Sequence, residues 1–296
     1  MAYDMRSLTR REALAFVSLA LSAGASTSLL SACSSAGASD MASSETGTSQ
    51  LTITFLEVGK ADSFVLVTDH SCVVIDTGTA KTAQDVVDSI VSLGVSAIDA
   101  LVVTHFDQDH VGGAATILRD FSVKAVYTTY QSKDSDAIDD YLAALDDVGL
   151  TATEVDATTT LTIDGVTYVI HPPDSSSYDK DESNNSSLVT RVTLGDTNFL
   201  FAADVESERI KELVADGADL SCDLLKVPHH GIYEDATDEL VSAASPTNAV
   251  ITSSKDQKED DETVSALEEA GAQVYLTRKG VVTAVTDGST LSVSQE

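Results

Sequence analysis

The chain reads as an α/β protein in which two sheet-plus-helix halves stack as a four-layer α/β/β/α sandwich. Short apolar or alternating runs mark strands from Leu51 onward, and helical patterns interrupt them in both halves. The second half then follows the first half's order of elements. No sequence repeat accompanies that order, so the two-fold plan rests on the succession of elements alone.

In the first half, Leu51–Leu56, Ser63–Thr68 and Cys72–Asp76 form a meander of strands divided by residues 57–62 and 69–71. A helix over Thr82–Leu93 is closed by Gly94, and Ala100–Thr104 is the next strand. A strand at Ala125–Thr128 precedes a helix near Asp136–Asp147. A hairpin follows, Thr160–Ile163 and Val166–Ile170 around the turn Asp164-Gly165. The second half opens with a hairpin, Leu188–Leu194 and Asn198–Ala202 around Gly195-Asp196, and continues with a helix over Ser207–Asp216. Strands at Asp223–Val227 and Ala249–Thr252, a helix over Glu262–Ala270, and strands at Gln273–Leu276 and Val281–Val285 complete it.

The chemistry is concentrated at the end of the strand Ala100–Thr104, where the chain reads His105-Phe106-Asp107-Gln108-Asp109-His110. His105, Asp107 and Asp109 alternate, so an extended segment turns them to one side, and His110 joins them if a helix starts there. Gly112-Gly113 follows and lets backbone approach closely. Imidazoles and carboxylates in this density suit a hydrolytic metal site. His229-His230 comes after Pro228 at the end of another strand, and Asp204 after a third, so three strand ends can meet on one rim.

Composition bounds the partners. With 48 acidic and 17 basic residues the formal net charge is −31. A long nucleic-acid strand held by a wide basic surface is disfavoured, because phosphate neutralisation needs clustered Lys and Arg. The N-terminus reads as an address: Arg6 and Arg10-Arg11 precede a weakly apolar stretch, Ala13–Leu30, ending in Leu30-Ser31-Ala32-Cys33. That ending resembles a bacterial lipobox with Cys33 as the lipidated residue, and Thr9-Arg10-Arg11 resembles a twin-arginine signal. Residues 1–32 are thus an export signal, 33–50 a flexible tether rich in Ser, Ala and Gly, and 51–296 the folded domain on the outer face of a bacterial membrane. Loss of 1–32 leaves a net charge of −32. Cys72 and Cys222 either pair or remain buried thiols.

Five stretches together resemble the metallo-β-lactamase superfamily, above all the hydrolase domain of ComEC-type DNA-uptake proteins. They are 55–63 (FLEVGKADS), the turn Asp76-Thr77-Gly78, 104–113 (THFDQDHVGG), 184–189 (NNSSLV) with 199–206 (FLFAADVE), and 224–231 (LLKVPHHG). The resemblance spans roughly residues 51–290. It implies two divalent ions, zinc or manganese. His105 and Asp107 would serve one ion, Asp109 and His110 the other, and Asp204 would bridge both. His229 or its neighbour completes the second position. His229 is taken as the ligand, and His230 is placed with Asp76, Asn184, Asn185 and Ser187 around the ligands or against substrate. Asp109 and Asp204 are the expected catalytic pair.

Most members of that superfamily carry His where Asp107 stands, and a further His before the Asp204 strand, where this chain has residues 184–187 (NNSS). A site with more carboxylate and less imidazole favours harder ions, which brings manganese level with zinc. Hydrolysis of an ester by metal-activated water is expected, most naturally of a phosphodiester in DNA or the cell envelope, small or polymeric. A surface-tethered binding module that keeps the fold around a weak metal site is the other class these residues allow.

Overall fold

The computed structural model describes residues 50–296; the predicted export signal, Cys33 and the tether up to residue 49 lie outside the described residues. The first half runs β1 (Leu51–Phe55), β2 (Phe64–Val67), β3 (Cys72–Ile75), α1 (Ala83–Ser92), β4 (Ala97–Ile98), β5 (Ala100–Val103), α2 (Gln108–Val111), α3 (Ala114–Asp120), β6 (Ser122–Val123), β7 (Val126–Thr128), α4 (Asp136–Val148) and β8 (Thr153–Glu154). The second runs β9 (Thr159–Ile163), β10 (Val166–His171), α5 (Glu182–Asn185), β11 (Val189–Leu194), β12 (Thr197–Phe201), α6 (Ser207–Ala215), β13 (Leu224–Lys226), α7 (Thr237–Ala244), β14 (Asn248–Ile251), α8 (Asp261–Glu269), β15 (Gln273–Leu276), β16 (Val282–Thr286) and β17 (Leu291–Gln295).

Two large sheets form, ordered β17-β16-β1-β2-β3-β5-β7-β8 and β15-β14-β13-β12-β11-β10-β9. Alternation along the strands divides the apolar residues among three layers. Val65, Val74, Leu101 and Val103 face outward onto α1, α3 and α4 through Val86, Ile90, Ile117 and Tyr141. Their neighbours Phe64, Leu66, Val73, Ile75, Ala100 and Val102 face inward and meet Tyr168, Val192, Phe199 and Phe201 of the second sheet. On the far side, Leu200, Leu225, Ala249 and Ile251 pack under α6, α7 and α8 through Ile210, Leu213, Leu240 and Leu267. Three apolar layers between four layers of structure is the predicted sandwich. Each fully buried large side chain contributes about 1.5–3 kcal/mol, so the layers dominate the stability.

The division into halves is not clean. The C-terminal strands β16 and β17 return to the first sheet, with β16 pairing antiparallel to β1 in the register Leu51↔Thr286. Antiparallel pairing needs only the edge that β1 offers. Helix α3 starts directly at Gly113, and α7 follows the His229-His230 turn; neither was expected from the sequence. The hairpin turn Asp164-Gly165 has φ of 46° and 80°, the left-handed pair that a two-residue turn requires.

Both buried cysteines are free. Cys72 belongs to the outer layer of the first sheet and Cys222 to the outer layer of the second, so the body of the sandwich separates them. Burial pushes both thiols up to about 12. At the centre, Phe55, Phe64 and Phe201 cluster with ring centroids 5.2–5.8 Å apart. They sit at the end of β1, the start of β2 and the end of β12, and so fix the two loops that enter the site.

Candidate metal centre

Three loops are stitched together by backbone hydrogen bonds at the ends of the strands. Asp62 N–H donates to Asp109 O at 3.0 Å, Thr77 N–H to His110 O at 2.9 Å, and Gly78 N–H to Asp62 O at 2.7 Å. The segment after β5 is held against them by close approach. A Cβ on Gly113 would lie 2.2 Å from Thr77 O, and one on Gly112 would lie 2.2 Å from Gln108 O and 2.7 Å from Ala80 N. Only glycine fits either position.

Each of three imidazoles is oriented through Nδ1. His110 Nδ1–H donates to Asp76 Oδ2 at 2.8 Å. Thr104 Oγ1 spends its proton on Asp76 Oδ2 at 2.7 Å, so His105 Nδ1–H donates to that hydroxyl at 3.2 Å. His230 Nδ1 lies 3.1 Å from the Thr252 carbonyl, which only accepts. With Nδ1 as the donor, each ring in its neutral, metal-binding form presents a lone pair at Nε2. Those Nε2 atoms are buried and have no hydrogen-bond partner. They converge on Asp204: His110 Nε2 is 3.2 Å and His230 Nε2 3.0 Å from Asp204 Oδ2, and His105 belongs to the same cluster. Asp109 Oδ2 lies 3.4 Å from His230 Nε2.

Orphaned imidazole nitrogens facing a buried carboxylate fit a divalent cation, which the fold family implies, because an ion replaces the partners they lack. Among the described residues four groups of three could hold an ion: His105–His110–Asp204, Asp109–His110–His230 and Asp62–Asp76–His110, which share His110, and Glu206–His229–Glu234 at the rim. Asp76 is completely buried and accepts from Thr104 N at 2.8 Å, Thr104 Oγ1 and His110 Nδ1. It holds the ring of His110.

The adjacent pair His229-His230 changes places relative to the sequence assignment. His230 is buried against Asp204 and Asp109, whereas His229 is part-exposed, with Nδ1 3.3 Å from Glu206 and 3.7 Å from Glu234. After Pro228 both residues take left-handed φ, 46° and 54°, and this tight turn drives the second ring inward and the first toward the rim. Of the two histidines that could complete the second position, the structure places His230 with Asp109 and Asp204 and places His229 at the rim with Glu206 and Glu234. Asp107 stands at the edge: Oδ1 lies 3.8 Å from His105 Nε2 and is engaged by Lys133 Nζ and Ser183 Oγ.

The stretch 184–187 braces the Asp204 loop. Asn185 Oδ1 accepts from Glu206 N and Arg209 N at 3.1 and 3.3 Å, capping α6 from outside. Ser187 Oγ accepts from Asp204 N at 3.4 Å, and Asn184 Nδ2 donates to Glu206 Oε1 at 2.7 Å.

Four site-forming residues missed in the sequence are Asp62, Lys226, Glu206 and Glu234. Asp62 and Lys226 are fully buried and ion-paired, and Lys226 Nζ also lies 3.3 Å from Asp204 Oδ1. Lys226 follows Leu224 by two along β13, so alternation puts it on the inward face and only the fold shows what it reaches. Asp62 sits inside the quoted stretch 55–63, and that was the one signal for it. His70 and His171 take no part in this centre.

Charge follows from the packing. Burial opposes ionisation of Asp204, but His230, His110 and Lys226 outweigh it and hold the carboxyl well below its ordinary range. Burial likewise opposes charge on His110, and Asp204, Asp76 and Asp62 overcome it and hold the imidazole well above its ordinary range. His105 is pushed down to about 4 by burial, with His110 adding to the effect. At the rim, burial lifts Glu206 to about 7, with Asp181 and Glu234 adding to it. Asp76, Ala203, His229 and His230 all have non-glycine φ between 46° and 56°. Such strain costs on the order of 1–3 kcal/mol per residue and gathers where surrounding contacts impose a geometry.

The sequence pattern of the metallo-beta-lactamase superfamily matches residues 56–253. The chain belongs to that superfamily. ComE operon protein 3 of Bacillus subtilis is 25% identical over 224 residues, covering 70% of this chain and 29% of the relative. Competence protein ComA of Neisseria gonorrhoeae is 24% identical over 214 residues, covering 68% and 27%. This chain thus spans less than a third of either relative. Among solved structures, the metallo-beta-lactamase fold protein YhfI from Bacillus subtilis superposes with a TM-score of 0.54 at 11% identity, covering 83% of this chain and all of that one. CmlA, a diiron beta-hydroxylase from Streptomyces venezuelae, gives 0.51 at 17% identity, covering 84% and 54%. At these identities the structures share the fold with this metallo-β-lactamase superfamily member, whose relatives are usually hydrolytic metalloenzymes.

Proposed function

We propose that this chain is a metal-dependent hydrolase that cleaves a phosphodiester with water as the nucleophile. The observation that carries this reading is the set of three partnerless Nε2 atoms, on His105, His110 and His230, converging on buried Asp204. His105, His110, Asp109, Asp204 and His230 would hold two divalent ions, zinc or manganese, with Asp107 at the edge of the set. Bound there, the ions would supply the Lewis acidity that makes water nucleophilic near neutral pH and takes up negative charge as the ester breaks.

The chain's own residues then have distinct tasks. Asp204 Oδ2 stays ionised between the imidazoles and holds the set together. Asp109, partly exposed at the mouth, offers the carboxylate oxygen that receives the proton of the attacking water. Glu206 stands at the rim beside His229, its carboxyl lifted above the ordinary range by burial.

The substrate is favoured to be short or locally presented, in DNA or in the cell envelope. Arg191 is paired with Asp219, and Lys226 is buried. Lys133, paired with Asp107, is the basic side chain in contact with the ligand set from outside. A single rim lysine suits a single phosphodiester better than a long strand on a chain of charge −31. No helix among the described residues is long and apolar enough to cross a membrane. We place the protein outside the cell, held to the membrane through lipidated Cys33; a Cys33→Ser variant should leave the membrane fraction.

The test is metal loading followed by bis-p-nitrophenyl phosphate, a phosphomonoester, a lactone and single-stranded DNA. The diester should be cleaved, with activity lost in Asp109→Ala and Asp204→Asn. Activity on the lactone alone sinks the phosphodiester reading.

A further inference from the structure

We infer that Lys226 is a positioning residue that assembles the ligand set before any ion arrives. This deepens the proposed function and rests on its assignment of Asp204 to the ions. The ammonium is completely buried among three oxygens: it donates to Ala203 O at 2.8 Å and Asp204 Oδ1 at 3.3 Å, and it is ion-paired with Asp62. Each partner belongs to a different part of the site's construction. Asp62 comes from the β1–β2 loop and also accepts from Thr252 Oγ1 at 2.7 Å, the hydroxyl that lies 3.0 Å from His230 Nδ1. Ala203 has φ 48°, a left-handed conformation that alanine adopts only under constraint, and its carbonyl also accepts from His229 N at 3.1 Å. Asp204 is pinned through Oδ1, and that contact leaves Oδ2 facing His110 and His230.

The arrangement answers an electrostatic problem. Asp62, Asp76 and Asp204 are all buried; His110 lies between Asp76 and Asp204, whereas Asp62 has Lys226 as its close ion-pair partner, without which its charge would repel the Asp204 carboxylate and draw that loop outward. A permanently bound ammonium on the central strand β13 removes that repulsion. Arginine is too large for a cavity in which the ammonium's three partners already close around one nitrogen, and a neutral residue leaves Asp62 stranded. Lys226 lies behind Asp204 and is given no contact with substrate.

The test is the charge-balanced pair Asp62→Asn with Lys226→Met, which removes one negative and one positive charge and so separates the pin from net charge. Zinc and manganese affinities are measured by chelator competition, alongside circular dichroism and thermal unfolding. The inference expects a folded variant that binds either ion about 10- to 100-fold more weakly than wild type. A folded variant with wild-type affinity overturns it, since a merely structural lysine would leave binding intact. Crystals of chelator-treated wild type give a second readout that needs no variant. Asp204 Oδ2 should remain within hydrogen-bond distance of His230 Nε2 without any ion, and a carboxylate swung away from the imidazoles refutes the inference. Both readouts omit substrate, so failure of wild type to hydrolyse any diester would overturn the proposed reaction and leave this comparison intact.

Discussion

Replacing Asp76 with asparagine isolates the contact that orients His110. The side chain keeps its size, and asparagine tolerates the φ of 56° at this position, so backbone strain is unchanged. What changes is the pattern of donors. Oδ1 receives Thr104 N–H, and Oδ2 receives Thr104 Oγ1–H and His110 Nδ1–H. If the new amide nitrogen faces His110, the ring must present a lone pair at Nδ1, its proton moves to Nε2, and the lone pair aimed at the ligand set is lost. If it faces Thr104 N–H, two donors confront each other in a fully buried place. Either orientation removes at least one charge-assisted hydrogen bond, a cost of about 1.5–3 kcal/mol. For a domain of this size that lowers Tm by roughly 3–12 °C. Ion affinity should fall about 10- to 100-fold, the usual loss when the partner of a ligating histidine is removed. Chelator competition and melting curves measure both quantities. An Asp76→Asn variant with wild-type affinity and Tm would show that His110 does not depend on Asp76, and the account of the centre would fail.

The inward placement of His230 predicts that His230→Asn loses bound ion at concentrations that saturate wild type, whereas His229→Asn keeps it; equal losses would refute the exchange of places. Arg209 is buried and donates to Glu212, His171 O and Pro172 O, so Arg209→Ala should cost about 3 kcal/mol in denaturant unfolding by removing a donor from each of those acceptors, Glu212 keeping only Tyr178, with metal content unchanged. Burial opposes ionisation of Glu259, but Arg278 and Ser253 outweigh it and hold its carboxyl at about 2. Its folded pKa is depressed, so its contribution to stability is full above its ordinary value of 4.5 and disappears as pH falls toward about 2. The difference in unfolding free energy between wild type and Glu259→Gln should shrink across that window, and a difference independent of pH would exclude the pairing.

Much of the fold was legible because burial leaves in each strand either a period of two or, where both faces are covered, a short unbroken apolar run. Val73-Val74-Ile75 and Ala100-Leu101-Val102-Val103 are apolar throughout, and the structure buries both faces, one under helices and one against the other sheet. Helix α3 was hidden because Gly112-Gly113 reads as a place of close approach, which it is, and a helix that begins on a glycine carries no capping side chain. Strand β17 has alternating Leu291 and Val293 but no second apolar face, and pairing with β16 settles its conformation.

The sequence by itself determined the chemistry available: four metal-capable side chains in 105–110, a carboxylate at 204 and a histidine pair after Pro228, set between strands whose periodicity is local. Tertiary structure decided which of these groups meet. His229 and His230 are neighbours, and nothing local distinguishes them until two left-handed residues turn one ring inward. Asp62 and Lys226 lie far apart in the chain, and their pairing exists only because β13 runs beside β12 and brings Lys226 beneath the β1–β2 loop. Spacing along a chain fixes direction within one element, whereas coordination and ion pairing depend on distances between elements, which packing alone sets.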